Sequence, residues 1–251
     1  QRYLDSLYVA AEDLLRHDTF TGADGTPVNM VDALDNAVDT LVPGLSDEAA
    51  WPTLRAHLLL LGAAGENPVE ALRAAACDRE LESAHDRAAV LDWRLDASGL
   101  RNAGAGPLPW MPAVPGRLSE DPHWGAYLAQ RAHLVTELSD QVRTRATEQA
   151  ETGALPVWAQ NGIRPETSTL ADVEVWRAAM QVPVDDRRPT GAPQLQKAPA
   201  TWQRRLTRAV TGDHTPALKE WRQLLYSLAP QVREDEFTPL LAERLAAMSR
   251  A

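Results

Sequence analysis

Apolar residues return every three or four positions along almost all of this 251-residue chain, and that period commits a chain to helices that each bury one stripe. Leu4, Leu7, Tyr8, Ala11, Leu14 and Leu15 mark the first stripe. A polar turn from His17 to Pro27, with Gly22 and Gly25, separates it from a second carrying Met30, Val31, Leu34, Val38 and Leu41, which Pro43-Gly44 ends. Ser46 is placed to cap a third helix with Ala50, Leu54, His57, Leu58 and Leu61. Asn67-Pro68 with Glu70 supplies the cap, N1 proline and capping-box acid of a fourth, running to Leu81. A fifth follows through Ala89, Val90 and Trp93. Strand signals are nearly absent.

Residues 99–122 break the period. The run Gly104-Ala105-Gly106-Pro107-Leu108-Pro109-Trp110-Met111-Pro112-Ala113-Val114-Pro115-Gly116 cannot be helix or central strand, because its prolines remove donors and clash with helical neighbours. It reads as an extended connector that Trp110 and Met111 pin to a surface. Beyond it a long helix from His123 to Gln149 is lined by Trp124, Leu128, Val135, Leu138 and Val142. Thr169-Leu170-Ala171-Asp172 reads as a capping box opening a helix with Val173, Trp176 and Met180. Helices follow at 199–210, 215–228 and 234–248. The expectation is an all-α, two-lobed bundle of nine to ten helices: an acidic lobe at 1–98, the connector at 99–122, and a second lobe at 123–251.

Charge is unevenly spread. The chain carries a formal net charge of −10, yet residues 1–100 hold 7 Arg against 18 carboxylates. Residues 187–222 invert this, with eight basic side chains against Asp213 and Glu220. The net acidity argues against a general nucleic-acid binder, whereas the local basic stretch admits a phosphate or acidic partner. Its single cysteine, Cys77, excludes an intrachain disulfide and a Cys-cluster metal site. No apolar run approaches the ~18 residues of a membrane span. The start Gln1-Arg2-Tyr3-Leu4, with neither Met nor a signal-peptide core, suggests a fragment, and a cytoplasmic location is the default.

Few motifs carry chemistry. Neither a P-loop nor a dinucleotide-binding glycine pattern is present, and Gly104-Ala105-Gly106 runs into Pro107 instead of a helix start. Asp24-Gly25 lacks the spaced acids of a calcium loop. No two of the six histidines stand three or four apart, so no His–His metal pair is visible. His57, on an apolar stripe, reads as a hydrogen-bonded core histidine. Asp86 and Asp92 read as part of a solvated acidic face, and Cys77 as a packing residue. Most of the eight tryptophans (51, 93, 110, 124, 158, 176, 202 and 221) fall on apolar stripes, which leaves Trp110 and Trp158, in proline-bearing loops, the least explained.

The basic stretch is the strongest candidate. At 100° per residue, Trp202, Leu206, Ala209 and Val210 share one side of their helix. Arg204, Arg205 and Arg208 occupy the opposite side, Lys197 aligns with them if the first turn extends back, and Arg187-Arg188 sit in the preceding loop. Such a face can hold phosphates or an acidic protein, or it can be a solvated face resting on the acidic lobe.

Several segments resemble one family. Gly106-Pro107-Leu108-Pro109-Trp110-Met111-Pro112, Asp121-Pro122-His123-Trp124-Gly125-Ala126-Tyr127-Leu128, Val175-Trp176-Arg177-Ala178-Ala179-Met180, Asp185-Asp186-Arg187-Arg188-Pro189-Thr190-Gly191, Pro193-Gln194-Leu195-Gln196-Lys197 and Trp202-Gln203 are similar to a region of MobF-class (TraA-like) conjugative relaxase–helicases of actinobacteria. Leu4-Asp5-Ser6-Leu7-Tyr8 and Ala10-Ala11-Glu12-Asp13 resemble the opening of that region. The family's metal-assisted nicking tyrosine and its Walker motifs have no counterpart here, so no catalytic residue carries over. The resemblance implies the region after the helicase, with docking or DNA handling as its task in plasmid mobilisation.

The sequence therefore predicts a non-catalytic accessory domain, without metal or cofactor, that docks proteins of the conjugative transfer machinery through its acidic lobe and a surface at Trp110, Met111 and Trp158. Its alternative is an auxiliary DNA-binding module using Arg187, Arg188, Lys197, Arg204, Arg205 and Arg208. The remote alternative is a self-standing enzyme whose site is invisible in sequence. No small-molecule substrate is evident.

Overall fold

The computed structural model of the chain describes residues 2–21, 25–81, 83–96, 106–160 and 165–211. Among them the fold is all-α, with nine α-helices and one small hairpin. The helices are α1 (Arg2–His17), α2 (Met30–Leu41), α3 (Trp51–Ala63), α4 (Pro68–Cys77), α5 (Arg87–Asp96), the single turn α6 (Gly116–Ser119), α7 (Gly125–Glu151), α8 (Thr167–Ala179) and α9 (Lys197–Thr211). The described residues all belong to one compact unit. The helices expected at 215–228 and 234–248 lie outside the described residues.

Local signals explain most boundaries. Asn29 caps α2 by accepting from the Asp32 amide, and Asn67 caps α4 by accepting from the amides of Val69 and Glu70, with Pro68 in the first turn. α7 keeps the length expected of the long helix, 27 residues, or about 40 Å. Elsewhere the structure corrects the sequence reading. Ser46 lies in a 3-10 turn (Leu45–Asp47), and α3 starts at Trp51 with Pro52 in its first turn. α4 stops at Cys77, short of Leu81. α8 opens at Thr167, ahead of the Thr169 capping box, and Glu166 makes no side-chain cap.

The polar turn contains an antiparallel hairpin, β1 (Thr19–Thr21) on β2 (Pro27–Asn29), pairing Phe20 with Val28. Three-residue strands are too short to leave a period-2 pattern, so only the β-branched and aromatic residues could have signalled it.

Burial follows the helical stripes into three apolar clusters. One joins α2, α3, α4 and α5 around Leu34, Leu54, Leu58, Leu72 and Leu91. A second joins α7, α8 and α9 around Trp158, Trp176 and Leu206. The first draws on residues 15–95 and the second on residues 108–210. The third crosses between them, with Tyr3, Leu7, Ala10 and Ala11 of α1 packed with Leu60 and Ala63 of α3, Leu118 of α6 and Leu128 of α7. Compactness therefore does not follow the division at 98 and 123, because α1 offers apolar residues to both sides. α3, buried on nearly every face from His57 to Ala63, is the hub of the first half.

Of the extended connector expected at 99–122, residues 99–105 lie outside the described residues, 107–115 are non-helical, and Gly116–Ser119 form the short helix α6, so it is not a free tether. Leu108 and Trp110 are buried in the second cluster, and Met111 packs on both the second and the third. The Tyr3 hydroxyl donates to the Pro112 carbonyl at 2.8 Å, and burial pushes that hydroxyl's pKa up to about 12. Gly106 permits the fold-back, since a Cβ there would stand 2.2 Å from the Met111 carbonyl oxygen.

Arg55 of α3 joins three helices on the other side of the hub. It donates to both Asp35 oxygens at 2.7 and 2.8 Å and to Glu12 at 3.1 and 3.3 Å. Arg55, and next Arg16, hold the Glu12 carboxyl below its usual 4.5, against partial desolvation. Since the folded value is the lower one, ionised Glu12 stabilises the fold fully above 4.5, and the contribution drains away as pH falls through the folded value. A Glu12→Gln variant should accordingly be less stable than the parent at neutral pH by a constant margin. That margin should shrink in acid once pH drops below the unfolded value, as chemical denaturation across a pH series will report.

Candidate functional site

α9 runs Lys197-Ala198-Pro199-Ala200-Thr201-Trp202-Gln203-Arg204-Arg205-Leu206-Thr207-Arg208-Ala209-Val210-Thr211. Pro199 falls in the first turn, where its missing donor costs nothing. The buried side is Pro199, Gln203, Leu206 and Val210, at spacings of four, three and four, and it packs against α8 and the connector. Arg204, Arg205 and Arg208 point the other way and are exposed. None of the three has a carboxylate partner among the described residues. Arg204 donates to the Thr201 hydroxyl at 3.1 Å, and the Arg205 guanidinium lies 4.8 Å over the Trp202 ring. By contrast, Arg16, Arg55, Arg73, Arg87, Arg117 and Arg143 all form ion pairs.

The loop carrying Arg187 and Arg188 is bound to this helix from inside. Arg177 of α8 is buried and places its two terminal nitrogens on four main-chain carbonyls: Arg188 at 2.7 Å, Pro189 at 3.2 Å, Pro183 at 2.7 Å and Asp186 at 3.1 Å. Trp176 Nε1 donates to the Thr190 carbonyl at 3.0 Å. Gln203 Nε2 donates to the Thr190 and Ala192 carbonyls, and its Oε1 accepts from the Gln194 amide. Thr190 and Thr207 hydroxyls meet at 3.2 Å. Gln203 and Thr207 precede Arg204 and Arg208, so the loop flanks the arginine face along one edge.

The predicted cations are therefore not equivalent. Arg187 is exposed with no side-chain partner among the described residues. Arg188 forks onto Asp186, with contacts at 2.6 and 3.0 Å, and that pairing holds the Asp186 carboxyl at about 2. Lys197 is half-buried and rests 5.3 Å over the ring of Trp93 on α5, itself 55% exposed. Lys219 and Arg222, in the rest of the basic stretch, lie outside the described residues.

The expected docking surface is corrected. Trp110 is only 7% exposed and meets Trp176 edge-on at 4.9 Å, with Trp202 beyond it at 6.0 Å. Trp158 is equally buried and donates Nε1 to Glu174 at 2.6 Å. Met111 is partly buried between clusters. Tryptophans in proline-bearing segments went inside because the prolines let the chain turn both rings onto α8.

A second site lies between the halves of the compact unit. Tyr8 of α1 and His57 of α3 line a cavity of about 180 Å³ whose other side is formed by Pro109–Pro112, Met180, Gln194, Gln196, Ala198 and Pro199. His57 is a hydrogen-bonded core histidine, as its apolar setting predicted. Its Nε2 stands 2.8 Å from the Tyr8 hydroxyl, and its Nδ1 bonds Asp92 of α5. One neutral tautomer satisfies the chain, with Nδ1–H donating to the carboxylate and Nε2 accepting from the tyrosine. Asp92, expected on a solvated face, is thus a buried acceptor, and Asp86 caps α5 through the Ala89 amide. Removing the acceptor by Asp92→Ala strands the imidazole donor and is expected to cost about 2–3 kcal/mol of unfolding free energy in urea.

Cys77, expected to pack, is exposed at the end of α4. Among the described residues no three His, Cys, Asp or Glu gather closely enough to hold a metal ion. No described helix is long and apolar enough to cross a membrane. Comparison with family models, with curated proteins and with solved structures finds no match to this chain.

Proposed function

We propose that this chain is a non-catalytic accessory module of a conjugative DNA-transfer protein, and that it grips the phosphate backbone of DNA through the arginine face of α9. The observation that carries the reading is the exposed Arg204, Arg205 and Arg208, without carboxylate partners among the described residues, on a helix with no acidic residue. Guanidinium groups on a fixed helix lose less freedom on gripping phosphates than cations on a floppy tail. Arg187 extends the face along the loop that Arg177 fastens. The assignment to conjugation rests on the sequence resemblance alone, and in this reading the module works in the cytoplasm.

Chemical-shift mapping tests the site. Adding a short duplex or single strand to isotopically labelled protein should move amide signals of 186–191 and 201–211, and leave those of α2 and α4 in place. Shifts confined to another surface would refute the arginine face.

One observation favours a second reading, docking of a transfer-machinery protein. Tyr127, Leu134 and Leu138 stand exposed along α7 at 38, 42 and 50%, beside a shallow hollow lined by Gln130, Arg131, His133 and Glu137. An apolar strip of this kind suits a partner helix better than a phosphate. Shifts on α7 upon addition of a partner, with none upon addition of DNA, would favour docking.

A further inference from the structure

We infer that the cavity between α1, α3, the connector and the start of α9 binds one uncharged heteroaromatic ring of nucleobase size. This deepens the DNA-handling reading and rests on it for the ligand's identity. The volume comes first. About 180 Å³ is slightly more than the roughly 150 Å³ apolar cavity that accepts benzene, so a single or compact fused ring fits.

The walls come next. Trp110, Met111, Met180 and Tyr8 offer flat or polarizable apolar surface to ring faces. Gln196 brings a carboxamide, whose paired donor and acceptor match the edge of a purine or pyrimidine, while Gln194 Nε2 donates to the Ala192 carbonyl at 3.3 Å. Among the described residues no Asp, Glu, Lys or Arg lines the cavity. A phosphate would therefore be stripped of water without compensation, whereas an uncharged ring would not.

The third observation is the place of Trp110, which is 93% buried and still lines the cavity, so that a seated ring lies against its indole. Lys197 follows Gln196 and precedes Ala198, both lining residues, so the ring's site and the first cation of α9 adjoin along the chain.

Such a ring could come from a free nucleoside or from an unstacked base of a single strand, and the experiment separates these. The indole N–H signal of Trp110, assigned with Trp110→Phe, is followed by NMR in the full chain. It is titrated with the four unphosphorylated nucleosides and, separately, with a short single-stranded oligonucleotide whose binding is also read by anisotropy. The proposal expects a saturable shift of that signal with at least one probe, weakened about fivefold or more in Gln196→Leu. The nucleoside shift should persist in Arg204→Glu/Arg205→Glu/Arg208→Glu. A shift with nucleosides but no oligonucleotide binding supports the cavity with a free ligand and defeats the arginine-face reading. A shift with the oligonucleotide alone identifies a strand base. Oligonucleotide binding with an unmoved Trp110 signal throughout overturns the cavity while leaving the arginine face standing. No shift and no binding overturns both.

Discussion

Replacing Arg177 with methionine is expected to lower unfolding free energy by about 3–4 kcal/mol. The guanidinium holds four carbonyls of the 183–189 loop from a buried position. Methionine fills part of the space and satisfies none of them, and each buried acceptor left unmet costs on the order of 1–3 kcal/mol before the loop relaxes toward water. Partial relaxation keeps the total below the sum. For a unit of this size the melting temperature should fall by roughly 10 °C. Lysine should rescue little, because one ammonium cannot span acceptors arranged for a planar fork. A thermal melt of the two variants beside the parent checks this, and a drop of under 1 kcal/mol would show that the loop is held by Trp176 and Gln203 alone.

The largest functional effect is expected from reversing the arginine face. Arg204→Glu/Arg205→Glu/Arg208→Glu should weaken DNA binding by about 100-fold or more at moderate salt, since three phosphate contacts and their counterion release are lost together. The three side chains are exposed and accept no structural role beyond Thr201 and the Trp202 ring, so stability should change little. Circular dichroism of the variant separates the two effects. An unchanged affinity with an intact fold would mean that phosphate is gripped elsewhere.

The arginine face was legible in the sequence for a simple reason. Arg204, Arg205 and Arg208 lie opposite the apolar stripe of their own helix, and a local period shows which side of a helix faces the core. The length of α7, the Asn67-Pro68 start of α4 and the hydrogen-bonded state of His57 were legible on the same local grounds. What binds across the fold was not. Nothing in Val175-Trp176-Arg177 says that the arginine turns inward, because the acceptors that draw it are main-chain atoms brought close only by folding. Asp92 is 35 residues from His57, and its burial depends on α5 packing against α3. Trp110 and Trp158 misled for a related reason, as a proline-rich segment has no periodicity to say which way its aromatic rings face.

A phosphate-binding face on α9 makes DNA binding by the unmodified chain steeply dependent on salt. Affinity for a labelled duplex, measured by anisotropy from low to moderate salt, should fall with a log–log slope of about −4 to −5 if Arg187, Lys197 and the three α9 arginines each displace a counterion. Absence of binding at the lowest salt, or binding with a slope near zero, would contradict it.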